Sequence, residues 1–229
     1  MLNLPRKKDE TAQENGTKQP AHEVVYQSLR SKILYGDLAP GQAVTIQGLT
    51  ETLGAGMTPV REAIRRLISD GALTFQGNRR VSVPQLNKDD AAQLIFARKT
   101  METELTRRAA SRISEADILE LERIDTELDS AISNGDVPGY LRLNYAFHTT
   151  LYAHAQAPIL SDLTERLWLR FGPSLRVVCG RLGTQSFPDR HKDILDALRK
   201  QDAELAALAM ERDVAQGMDQ VLQALSDAK

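Results

Sequence analysis

From Asn87 onward no stretch alternates polar and apolar residues, and apolar positions return at the three-to-four-residue spacing of amphipathic helices. That periodicity removes sheet from the larger part of the chain and leaves helix packed on helix as the way to bury its apolar faces. The breaks "SNGDVPG", "AQAP" and "TQSFPD" divide the pattern, predicting helices over 88–112, 114–133, 137–154, 158–182, 188–200 and 202–226. Asn87, followed by Asp89 and Asp90, supplies a cap and an acidic first turn for the first of them.

The first 86 residues read differently. Residues 1–20 are polar and aperiodic and are expected to be disordered. A helix follows over 22–35, with Val25, Leu29 and Ile33 at four-residue steps. The turn "LAPG" leads to a short helix from Thr45 to Gly54. After "GAGM" comes "TPVREAIRRLISDG", in which Thr58 can cap, Pro59 can take the first helical position and Gly71 can close the end in a left-handed conformation. Two short helices across a tight glycine-containing turn make a helix-turn-helix, whose second helix can enter a major groove. The period then changes to two: "LTFQ" and "VSVP" flank "GNRR" as a hairpin, which makes the unit a winged helix-turn-helix.

Net charge is -2, which does not favour nucleic acid, but the distribution matters more. Residues 1–86 hold 11 basic and 8 acidic residues, whereas the remainder hold 18 and 23. Val60, Ala63, Ile64, Leu67 and Ile68 form the buried stripe of the second short helix, so Arg61, Arg65 and Arg66 lie off it. A solvated face would have to explain Arg61, Arg65, Arg79 and Arg80 separately; contact with a DNA groove and backbone explains all four together. Cys179 is the one cysteine, which rules out an internal disulfide. No run of about 18 apolar residues or signal-like apolar segment is present, so a cytoplasmic protein that does not enter a membrane is expected.

The segments "LRSKILYGDLAPGQAVTIQGLTETLG", "TPVREAIRRLISDGAL", "NRR" and "VSVPQLNKDD", then "ARKTMETE", "NYAFHTTLYAHA" and "RHKDILDALRKQDAELAALAM", occur in this order over about 22–226. In these the chain resembles GntR-family bacterial transcription regulators of the FadR branch, with an FCD-type helical ligand domain. The resemblance implies a mainly α protein, with a winged helix-turn-helix over 21–86 and a helical effector-binding and dimerisation domain over 87–229. It implies a homodimer on a palindromic double-stranded DNA operator, tuned by a small carboxylate or related metabolite. It also implies that Thr58 and Arg61 contact DNA with Arg65 nearby, and that Asn78, Arg79 and Arg80 lie beside the minor groove. Where the family usually has Ser-Arg ahead of Thr-Pro, this chain has Gly56 and Met57. A frequent base or phosphate contact is thereby lost, which points to a different operator sequence, with Arg80 compensating in part.

Asn144 and His148 share one helical face with Leu141 and Leu151; His191 heads a stripe through Ile194, Leu195 and Leu198; Asp213 falls among Ala206, Ala209, Met210 and Gly217. Unpartnered burial costs roughly 1–3 kcal/mol per polar group, so something should satisfy them. Two imidazoles and a carboxylate suit a divalent transition metal such as zinc, nickel or manganese. At these places the family usually has Asp, His, His, His, so one carboxylate is kept and one imidazole lost. A metal-free polar network around the effector is the alternative. Arg98 and Glu102, one turn apart, form either a simple ion pair or, as the resemblance implies for Arg98, a grip on an effector carboxylate. Two rival functions remain on the residues: a metal-dependent enzyme using His148, His191 and Asp213 as an open facial triad, and an architectural DNA-binding dimer.

Overall fold

The computed structural model describes residues 19–76, 80–182 and 190–226. The N-terminal part is built on α1 (Ala21–Leu34), α2 (Ile46–Leu53) and α3 (Met57–Ser69). α1 buries Val25, Tyr26, Leu29, Ile33 and Leu34, largely against the stripe of Val60, Ala63, Ile64 and Leu67 on α3. Thr45 caps α2 by accepting the Gly48 amide, and Gly54, at φ 59°, closes it. α3 ends as its sequence suggests: Gly71 sits at φ +76°, its amide reaches Ile68 O at 3.0 Å, and the Ala72 amide reaches Leu67 O at 2.9 Å.

Two local expectations need correcting. The cap of α3 is Gly56, already extended at φ -70° and ψ 159°, and no side chain caps the helix. Thr58 and Pro59 are therefore its second and third residues. Pro59 costs no helical hydrogen bond there, because the first amides have no acceptor within the helix. The wing is also more than a hairpin. β2 (Thr74–Phe75) and β3 (Val81–Ser82) pair antiparallel, and β1 (Ala43–Val44) joins β3 on its other edge in the order β1-β3-β2. Two residues are too few to display a period of two, so β1 leaves no trace in the pattern. Its pairing ties the wing to the segment just ahead of α2.

The helical part comprises α4 (Lys88–Ala110), α5 (Glu115–Ser133), α6 (Val137–Ala153), α7 (Pro158–Leu182), α8 (Arg190–Arg199) and α9 (Ala203–Ser226). Each lies within a few residues of its predicted span. Asn87 and Asp90 form a reciprocal capping box, each side chain accepting the other's amide at 2.9 and 3.1 Å. Asn87→Ala removes one of these bonds and is expected to cost about 1 kcal/mol. Calorimetry should show the midpoint falling by roughly 2–4 °C for a chain of this size. An unchanged midpoint would mean that α4 is held without its cap.

α4 packs most extensively on α9, and α7 runs behind α4 and α6 to meet α1. At that meeting a Cβ on Gly172 would stand 2.1 Å from Leu34 O, so glycine is what lets α7 approach the end of α1. Arg30 of α1 donates to Tyr145 Oη of α6 and to Glu165 Oε2 of α7, each at 3.0 Å. The N-terminal helices are thus seated directly on the helices that carry the internal site.

Candidate functional site

α3 separates its arginines by role. Arg61 and Arg65 are exposed and have no ion-pair or hydrogen-bond partner among the described residues, and Thr58 is exposed at the start of the same helix. Arg66 is not part of that free face. It donates to Glu23 Oε2 at 2.7 Å and lies 3.7 Å from the centre of the Tyr26 ring, joining α3 to α1. Hydrogen bonds from Gln27 and Arg66 hold the Glu23 carboxyl below its usual range. Arg80 is exposed just ahead of β3, where its carbonyl accepts the Gln76 amide at 2.8 Å. Asn78 and Arg79 lie outside the described residues.

The second constellation is internal. His148 on α6, His191 on α8 and Asp213 on α9 each bring one ligand atom to within 4.8 Å of the others, with His148 Nε2 3.3 Å from Asp213 Oδ2. Ligand atoms about 2.0–2.2 Å from one tetrahedral zinc-sized ion stand about 3.4 Å apart, so the three groups would have to draw closer together to share an ion, and would leave its fourth position open. Both rings are oriented from behind. Tyr152 has one hydroxyl proton and gives it to Glu102 Oε2 at 2.5 Å; its oxygen therefore accepts from His148 Nδ1 at 3.0 Å, leaving Nε2 as the lone-pair nitrogen of the neutral ring. Burial and the Glu102 charge push the Tyr152 phenol well above its usual range, which keeps that proton in place. His191 Nδ1 likewise faces Asp125 Oδ1 at 3.1 Å, and its ring stacks on Phe147 at 3.9 Å. A carboxylate behind an imidazole, as Asp125 stands behind His191, is the usual support of a metal ligand, and the Tyr152 hydroxyl fills that place for His148. Burial pushes the Asp213 carboxyl up, but when His148 also carries a proton on Nε2 its hydrogen bond and charge, with the charges of His191 and Arg98, outweigh burial and hold the group below its usual range as a carboxylate.

Asn144, His148, Asp213 and Arg98 line one cavity of about 40 Å³, closed on another side by Trp168. Its size suits a metal ion or one water molecule, whose share of the liquid is about 30 Å³. His191 reaches the cluster from beside His148, its ring centre 5.2 Å away. The four residues singled out in the sequence therefore meet, with Arg98 beside them.

Arg98 is not an exposed i,i+4 pair. Only 2% exposed, it grips Glu102 in bidentate fashion at 2.5 and 3.2 Å, and its guanidinium lies 4.2 and 4.1 Å from the Trp168 and Phe171 rings. Among the described residues Nη1 meets only the Met218 sulfur, at 3.8 Å, a weak acceptor. Arg98 is thus both a structural pair and part of the cavity wall. Sequence reasoning missed Asp125 and Tyr152, which orient the ligands. Asp125 did leave a signal: it is a carboxylate within the buried stripe of Leu121, Ile124 and Leu128.

Among the described residues no helix is long and apolar enough to cross a membrane. Residues 93–216 match the FCD domain family, and residues 21–83 match the bacterial regulatory proteins of the gntR family. The chain is 28% identical over 183 residues to the HTH-type transcriptional regulator McbR of Escherichia coli K12, covering 79% of this chain and 83% of that protein. It is 26% identical over 221 residues to the HTH-type transcriptional repressor RspR of the same organism, covering 91% and 93%. The solved Escherichia coli McbR/YncC structure superposes with a TM-score of 0.81 at 26% identity, covering 92% of this chain and 99% of that one. A Rhodococcus sp. RHA1 GntR structure gives 0.72 at 22% identity over 89% and 98%, which shows the shared fold. These relatives are transcription regulators, so the enzyme reading of the His148, His191 and Asp213 triad is set aside.

Proposed function

The chain belongs to the GntR family of bacterial transcription regulators and carries an FCD domain, and from that premise we propose that it binds a palindromic operator as a homodimer, with an affinity set by a small carboxylate effector. The reading assigns DNA to a unit over 21–86 and the effector and dimerisation to one over 87–229, in the cytoplasm. Thr58, Arg61 and Arg65 would meet the major groove, with Asn78, Arg79 and Arg80 in the wing beside the minor groove. The exposed Arg61 and Arg65 support this, since no interaction among the described residues accounts for them.

The observation that carries the effector half is the oriented donor set of His148, His191 and Asp213. With Asn144 beside them, these residues would hold a divalent ion of the zinc, nickel or manganese kind. Such an ion supplies a Lewis-acidic position for a carboxylate oxygen. Nη1 of Arg98, which has only a sulfur neighbour among the described residues, would take the other oxygen once the cavity of about 40 Å³ widens to admit the carboxylate. A route to the DNA-reading helices lies next to it: Trp168 is 5.1 Å from His148 and 5.4 Å from Tyr145, whose hydroxyl accepts from Arg30 of α1.

The test is a melting screen of small carboxylates with and without divalent metal, followed by anisotropy on DNA from the flanking intergenic region. A ligand at 100 times its Kd stabilises by about 2.7 kcal/mol and should also change operator affinity. A shift that survives chelation supports the metal-free network in the same cavity. If no carboxylate moves either the midpoint or the DNA affinity, the effector reading fails.

A further inference from the structure

Met57, Thr58, Arg61 and Arg65 of α3 are all exposed, and at 3.6 residues per turn they share about 100° of arc beside the buried stripe. Three of them carry hydrogen-bond donors. Met57, the first residue of the helix, is 58% exposed and is the one large apolar side chain of α3 left in water. A single exposed apolar residue needs no explanation by itself; its company on this arc does. The fold does not crowd that end of the helix. Gly56 has an ordinary φ of -70°, and a Cβ there would meet only Pro59, at 3.6 and 3.8 Å, in ordinary contact. The chain itself therefore does not require glycine ahead of Met57, and the missing side chain leaves the tip of α3 open to a close approach from outside.

We propose that Met57 determines operator specificity by reading the 5-methyl group of a thymine in the major groove, within about two base pairs of the base met by Arg61. The inference rests on the reading of α3 as the groove helix and adds a base that its operator should contain. Residues at the N-terminal end of such a helix are the ones that reach base edges. A thioether donates nothing and accepts only weakly, so Met57 has no good partner among the hydrogen-bonding groups of those edges. The thymine methyl is the one apolar group that the major groove displays, and a flexible, polarisable methionine can be laid against it, taking both apolar surfaces out of water. Arg61 stands one turn further along, about 6 Å by the rise of the helix, which matches about two base-pair steps of 3.4 Å. A phosphate is the wrong partner for Met57, since it offers only charge and acceptors, which Thr58 and Arg65 can meet. A protein surface could cover Met57 as well, but it would also have to satisfy the guanidinium groups of Arg61 and Arg65 beside it, for which DNA supplies guanine edges and phosphates.

The test lets the full chain select its site from random duplex DNA and then measures anisotropy, at fixed salt, on duplexes in which each thymine in turn is replaced by deoxyuridine, which lacks only the methyl. One thymine in each half-site should matter. Removing its methyl should weaken binding by the unaltered chain about 4-fold, and about 15-fold when both half-sites are changed. Met57→Ala should bind the thymine and deoxyuridine duplexes alike. Because Met57 is exposed and alanine is a good helix former, the melting midpoint of that variant should hardly move, and a thermal melt checks it. The proposal is overturned if no thymine methyl affects the unaltered chain. It is equally overturned if Met57→Ala loses as much as the unaltered chain at the same thymine, since another side chain would then be reading the methyl. Failure of the groove-helix reading looks different: Arg61→Ala and Met57→Ala would both bind the selected site as the unaltered chain does, or no site would be selected at all.

Discussion

Arg61→Ala should reduce operator affinity by about 30-fold to more than 10⁴-fold, since a bidentate base contact is worth about 1–3 kcal/mol and a dimer makes two of them. Fold stability should move by no more than about 0.5 kcal/mol, because the side chain is exposed and off the Val60–Leu67 stripe. Arg66→Ala is the internal contrast. That arginine is occupied with Glu23 and Tyr26, so its loss should loosen the α1–α3 joint while leaving base discrimination unchanged. Fluorescence anisotropy on operator and scrambled DNA at matched salt separates the two, because salt alone changes such affinities greatly. Arg61→Ala binding operator as the unaltered chain does would remove α3 from the groove.

His148→Ala should abolish metal binding and the effector response together, and leave operator affinity in the absence of effector as it was. The substitution removes one of the three ligand groups and the partner of both Tyr152 and Asp213. Asp125→Asn grades the effect: it keeps the ligands but weakens the support of His191, for which losses of about 10–100-fold in metal affinity are usual. Metal content by mass spectrometry and melting with and without added metal read both variants. Retention of metal by the His148 variant would show that the ion, if held, is held elsewhere.

The positions of the helices were legible because each follows a local rule. A 3.6-residue apolar period, an Asn87–Asp90 capping box and glycines at 54 and 71 act within one or two turns, and no distant residue is needed to read them. The same period exposed Asn144, His148, His191 and Asp213, since a polar group on an apolar stripe is conspicuous wherever the stripe is packed. The cap falls at Gly56 although Thr58 has the better capping side chain, because the extended backbone ahead of α3 already ends at Gly56.

Periodicity tells which side chains share a face but not what the face meets. That Arg98 and Glu102 stand one turn apart is written in their numbers; that Trp168, Phe171 and Tyr152 enclose them, turning a weak surface pair into a buried one, depends on how α4, α6 and α7 come together. The same holds for Asp125 behind His191, for Leu34 against Gly172, and for Phe96 on α4, whose exposure follows from where α9 covers α4 and where it does not. Local interactions select helix and turn within a few residues, whereas burial and pairing between distant residues arise from packing and are settled only when every face has found its neighbour.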